Sequence, residues 1–272
     1  SPMRQNISTI GAVVFGALLL LLAGCGRKLR TVKCQDHFED TYTASCEVDG
    51  WEKRDYDLVL PDAYDGEEPI PLVVSLHGGG GNRKAQARTT CPDGKVKNAA
   101  CLHNLGKREG FAVVYPNGLG AKLWGSIRTW NAGGGVDGWR CTSGRACQED
   151  SDDVQYLADM LDDVERRVEI DTDRIYFTGL SNGAAMSYRA ACELSDRIAA
   201  IAPVGGGMQY TTNHTCDPDR PVPVMHIHGT EDPCWKLDGG VPDCVNDQDG
   251  KKHVSIQRTL DEWAEINGCS AD

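Results

Sequence analysis

The chemistry concentrates first in Gly179-Leu180-Ser181-Asn182-Gly183, a G-x-S-x-G run between a strand-like segment at 174–178 and a helix-compatible segment at 182–194. In that strand-turn-helix setting the serine stands on a sharp turn with its hydroxyl projecting, and the flanking glycines remove side chains that would collide there. Such a serine attacks acyl carbons, while the first amides of the following helix and the positive end of its dipole face the developing oxyanion. The competing reading is a chance match in a chain with 31 glycines, and the flanking elements argue against it.

Two further clusters fit the same chemistry. His77-Gly78-Gly79-Gly80-Gly81 follows an apolar run, and glycine lets backbone amides approach a substrate closely. Gly79 and Asn182 are the expected oxyanion-hole donors, with Ser181 as nucleophile. His77 precedes Ser181 in the chain and is read as a brace for its loop. Neither G-x-G-x-x-G nor a lysine-bearing phosphate loop accompanies these glycines, which argues against a nucleotide site. His228-Gly229-Thr230-Glu231-Asp232 follows another apolar run, and Asp232 is the expected acid that orients an imidazole, with Glu231 as the neighbouring alternative. His226 and His228 would face one way on a strand, but no third ligand stands at metal spacing, so no metal and no cofactor is expected.

These residues need a scaffold of alternating strands and helices. Residues 54–60 alternate polar and apolar as a half-buried strand does, whereas 71–76 and 111–115 are nearly continuous apolar runs that suit strands covered on both faces. Apolar spacings of three and four predict a helix over 152–168, and strands are expected at 199–204 and 222–227 with a last helix at 254–266. The alternation implies an α/β domain with a mostly parallel sheet. Residues 117–150 hold Gly, Trp and Cys without periodicity, and a loop of that length is usually functional. Its Trp124, Trp130 and Trp139 are read equally as an apolar substrate wall or as ordinary core.

With 272 residues and 40% hydrophobic content, one globular domain is the expectation. A formal charge of −12 argues against nucleic acid as a partner. Met3 and Arg4 precede an apolar run at 10–23, too short to span a bilayer comfortably, that ends in Leu22-Ala23-Gly24-Cys25. The expected division is a lipoprotein signal over 1–25 with lipidated Cys25, a tether over 26–50 and a catalytic domain over 51–272. Membrane attachment would then run through the lipid anchor in the cell envelope, or the protein would be secreted, and a monomer is expected. Export allows disulfides, with Cys91 to Cys101, Cys141 to Cys147 and Cys234 to Cys244 as short staples. Eleven cysteines follow Cys25, which leaves one over.

The ordered set of residues 54–61, Leu76-His77-Gly78-Gly79, Tyr115-Pro116-Asn117-Gly118, 171–174, 179–186, Ile201-Ala202-Pro203-Val204 and His228 to Asp232 resembles the polyhydroxybutyrate depolymerase and feruloyl esterase family. The resemblance implies an α/β-hydrolase fold and hydrolysis of polyhydroxyalkanoate esters or of feruloyl or acetyl esters on plant-wall polysaccharide. It also implies Ser181 as nucleophile, Asp232 as acid, and Gly79 with Asn182 as oxyanion hole. Family members commonly carry a bulkier residue where Gly79 stands. The family's base is a histidine near the C-terminus after a last strand, and here only His253 follows Asp232. His253 opens a helical segment and is expected to be an exposed helix-start residue, a base only if the chain is complete. Truncation is the expectation, with the final strand and helix missing and the histidine beyond Asp272. A lipid-anchored binding protein on an inactive scaffold, or a peptidase of the same fold, are the rival readings.

Overall fold

A computed structural model describes residues 34–36, 44–51, 54–120, 127–141, 144–244 and 250–269. The expected signal and Cys25, as well as Trp124, lie outside the described residues. No described helix is long and apolar enough to cross a membrane.

Seven strands form one sheet: β1 (Cys34–Asp36), β2 (Ala44–Glu47), β3 (Asp55–Val59), β4 (Ile70–Leu76), β5 (Ala112–Pro116), β8 (Ile170–Leu180) and β9 (Ala200–Val204). Their spatial order is β1-β2-β3-β5-β4-β8-β9, and β6 (Leu119–Gly120) and β7 (Arg128–Thr129) make a separate hairpin. The first three are antiparallel to their neighbours, while β5, β4, β8 and β9 run parallel. Side chains alternate across the sheet, so β5 sends Ala112 and Val114 into the main core and Val113 and Tyr115 into a smaller cluster on the opposite face. The main core lies under α4 (Asp153–Glu165), α5 (Asn182–Glu193) and α6 (Ile256–Ile266), and Ala87 of α1 (Arg83–Thr89) joins the smaller cluster beside α2 (Leu102–Glu109). A one-turn α3 (Gly144–Gln148) lies in the Trp-rich region.

Three expectations change. Strand β3 is buried along most of its length rather than alternating, because Val59 enters the smaller cluster and the Asp57 carboxylate is covered by Arg83. Residues 222–227 form no named strand. They meet β9 through isolated parallel bridges at Val224 and Ile227: Met225 and Ile227 both donate to β9, but Pro203 on β9 has no N–H for the Met225 carbonyl, which interrupts the ladder. His253 is buried, with its ring stacked at 3.8 Å on Trp235, rather than exposed at a helix start.

The expected short disulfides Cys91–Cys101, Cys141–Cys147 and Cys234–Cys244 are present, joined by Cys192–Cys216, and Cys269 is an exposed thiol. Among the described residues, one stretch of the sheet, on the α1 and α2 side, carries no helix. Tyr176, Ala200 and Met225 line a groove of about 480 Å³ there, and Met225 is 63% exposed.

Candidate active site

Four loops leave the same end of the sheet. His77–Gly81 follows β4, Ser181 follows β8, Gly205–Gly207 follows β9, and His228–Trp235 follows the edge segment, because register pairs Leu76 with Gly179, Leu180 with Val204, and Val204 with Ile227. Loops beyond the carboxyl ends of parallel strands are where such sheets assemble their sites.

Ser181 is under backbone strain. Its φ of 54° and ψ of −114° lie in a region that only glycine adopts easily, and the turn holds it there through Ser181 N–H to Val204 O at 2.9 Å. The neighbouring glycines make room. A Cβ on Gly179 would stand 2.5 Å from the Gly183 backbone, one on Gly183 would stand 2.4 Å from Leu76 O, and one on Gly206 would stand 2.3 Å from Ser181 O. A Cβ on Gly78 would come within 3.7 Å of Ser181 Cβ, so this loop lies directly beside the serine.

Within the glycine loop, Gly81 N–H donates to Gly78 O at 3.0 Å and Gly80 N–H donates to Arg128 O at 2.8 Å. Those two amides are committed, one within the loop and one to β7. His77 braces the loop as the sequence suggested. Gly118 N–H donates to its Nε2 at 3.0 Å, so the ring proton sits on Nδ1 and donates to Gly78 O at 2.8 Å. Burial pushes His77 down to about 4, which keeps the ring neutral.

Trp130 ties these pieces together. Asn182 Oδ1 accepts from Trp130 N at 2.8 Å and Asn182 Nδ2 donates to Trp130 O at 3.0 Å, while the indole donates to His77 O at 2.9 Å. Because the Asn182 side chain grips Trp130, its role at the oxyanion would fall to its backbone amide at the start of α5. Trp130 is fully buried, a core residue, whereas Trp139 is partly exposed beside Lys252 and Arg258.

Under Trp130 lies an ion pair that sequence reasoning missed. Arg54 meets Asp153 at 2.7 Å, and both are buried. The guanidinium carbon sits 3.7 Å from the Tyr156 ring centroid, and Asp153 accepts from Asn131 N at 2.5 Å. Nothing local marks this pair, since its members are far apart in the sequence and meet only in the folded core.

On the fourth loop, Asp232 Oδ1 accepts from Cys234 N at 2.8 Å and Trp235 N at 2.9 Å. Its Oδ2 stands 3.6 Å from His228 Nε2, and a Cβ on Gly205 would lie 3.4 Å from it. That carboxylate therefore faces the β9 loop next to Ser181, whereas Glu231 is exposed. His226 and His228 stack with ring centroids 5.2 Å apart and hydrogen-bond each other. The His253 Nδ1 contacts Cys234 O at 3.1 Å. Among the described residues no hydrogen bond joins Ser181 to an imidazole.

Residues 64–241 match the family model described as phospholipase/carboxylesterase. Feruloyl esterase B of Piromyces equi is 27% identical over 217 residues, covering 78% of this chain and 35% of that protein. Probable feruloyl esterase C of Aspergillus niger is 30% identical over 192 residues, covering 69% of this chain and 58% of that protein. The chain thus spans about a third to three fifths of the length of these relatives. The solved native structure of pOPH superposes with a TM-score of 0.52 at 18% identity, covering 80% of this chain and 73% of that one, a likeness of fold. The chain belongs to the phospholipase/carboxylesterase family and has the α/β-hydrolase fold.

Proposed function

We propose that this protein is a serine carboxylic-ester hydrolase acting on feruloyl or acetyl esters of plant-wall polysaccharide. The observation that carries this reading is Ser181 held at φ 54° between Gly78 and Gly206, with the Asp232 carboxylate on the next loop. Ser181 attacks the ester carbonyl and the alkoxide oxygen of the tetrahedral intermediate binds the Gly79 and Asn182 amides. A general base takes the serine proton and returns it to the leaving alcohol, and water then hydrolyses the acyl-enzyme. Asp232 orients that base and stabilises its cation. Following the family resemblance, the base is a histidine. Feruloyl and acetyl groups are favoured over polyhydroxyalkanoate because feruloyl esterases and a bifunctional acetylxylan esterase/xylanase are among the relatives. The disulfides fit an extracytoplasmic protein, and attachment through a lipidated Cys25 belongs to the same proposal.

The test is reaction with a fluorophosphonate probe and with aryl feruloyl and acetyl esters. Stoichiometric labelling of Ser181 and an acyl burst, both lost in Ser181→Ala, are expected. Labelling that persists in Ser181→Ala sinks the proposal.

A further inference from the structure

The histidine pair beside the acid loop is used by no step above, and its hydrogen bonds run in one direction. Trp235 O can only accept, so the 2.6 Å contact from His228 Nε2 places the proton of a neutral His228 ring on Nε2. His228 Nδ1 is then an acceptor, and the 3.1 Å contact requires His226 Nε2 to donate to it. His226 Nδ1 becomes an acceptor in turn, and the Tyr188 hydroxyl, 2.8 Å away on α5, donates to it. The sequence accounts for the two rings lying together. Residues 226 and 228 are two apart on an extended segment and so share the face turned toward α5, while Met225 and Ile227 point out to solvent.

We infer that Tyr188 and His226 are positioning residues, whose relay fixes His228 as its Nε2–H tautomer and thereby holds the turn that presents Asp232. The link to Asp232 is direct. Trp235 gives its carbonyl to His228 and its amide to Asp232 Oδ1, so one residue is clamped from both sides. With Oδ1 committed to the Cys234 and Trp235 amides, Oδ2 is the oxygen left for a catalytic base. Burial, and secondarily the neighbouring His228, push His226 down to about 4, and burial raises the Tyr188 phenol, so the end donor keeps its proton and the middle ring stays neutral. That Oδ2 serves a base rests on the esterase proposal. The relay itself does not.

The experiment is nitrogen-15 imidazole spectroscopy on the disulfide-bonded chain, read with hydrogen exchange at the Cys234 and Trp235 amides. Both His226 and His228 are expected as Nε2–H tautomers near neutral pH. Loss of one hydrogen bond from the relay in His226→Leu should raise exchange at those two amides about 2- to 12-fold, with the Val114 amide of β5 unchanged. His226→Gln, whose side-chain amide can donate to His228 Nδ1, should restore protection, and Tyr188→Phe, which removes the donor to His226 Nδ1, should raise exchange at the same two amides. An Nδ1–H tautomer at His228, or equal exchange in wild type and His226→Leu, overturns the inference. If instead the relay behaves as described but Asp232→Asn leaves ester hydrolysis unchanged, the acid assignment fails and the relay stands.

Discussion

Replacing Arg54 by Met removes a cation from the centre of the molecule and leaves its partner behind. Arg54 and Asp153 meet at 2.7 Å with side-chain exposures of 3% and 0%, so water cannot take over the Asp153 charge. Removing one member of a buried pair typically costs about 3–5 kcal/mol, a figure that already contains the cation–π contact with Tyr156. Two features soften the loss. Asp153 keeps hydrogen bonds from Asn131 N and Ser151 Oγ, and it lies in the first turn of α4, where the helix dipole offsets about 0.3–1 kcal/mol. The expected loss is therefore about 3 kcal/mol, or roughly 6–12 °C in Tm for a domain of this size. Urea denaturation followed by tryptophan fluorescence on the oxidised protein measures it. In the double variant Arg54→Met/Asp153→Asn no charge is stranded, and about half the loss should return. A single-variant loss below about 1 kcal/mol, or losses that simply add in the double variant, would refute the claim that a desolvated charge pair anchors the floor beneath Trp130.

Other outcomes follow from the same structure. Ser181→Gly should stabilise the fold by about 1 kcal/mol, because glycine accepts the φ of 54° without strain, while ending covalent labelling; a loss of stability contradicts the strained turn. His77 is neutral in the fold down to about 4, but its unfolded counterpart takes a proton near 6.5. Across that window the unfolded state binds more protons, so stability falls with pH, by on the order of 3 kcal/mol once the folded-state value is reached. A denaturation midpoint that stays flat from pH 7 to 5 rules this out. Gly183→Ala places a methyl 2.4 Å from the Leu76 carbonyl, where only backbone could yield, and should cost at least about 1–3 kcal/mol, checked by thermal unfolding. Replacing Cys192 and Cys216 by Ser opens a loop of sequence separation 24 and should lower stability by about 3 kcal/mol in the same assay.

What could be read from the residues in order was what nearest neighbours decide. The elbow at Ser181 was legible because strand, turn and helix are consecutive, and the glycines it needs lie within two positions. Cys91–Cys101, Cys141–Cys147 and Cys234–Cys244 were legible because loops of separation 6 and 10 close on themselves. The parallel sheet followed from apolar runs buried on both faces. Packing decided the rest, since it joins residues whose sequence separation carries no signal. The partner of Cys192, the grip of Asn182 on Trp130, the Arg54–Asp153 pair and the relay from Tyr188 to His228 all cross between elements. Their contacts exist only once the sheet order has brought the segments together. Likewise the edge segment at 222–227 looked like a strand from its apolar residues, but hydrogen bonding is a property of pairs, and Pro203 on the partner strand β9 withholds the donor that would join its two bridges into one ladder.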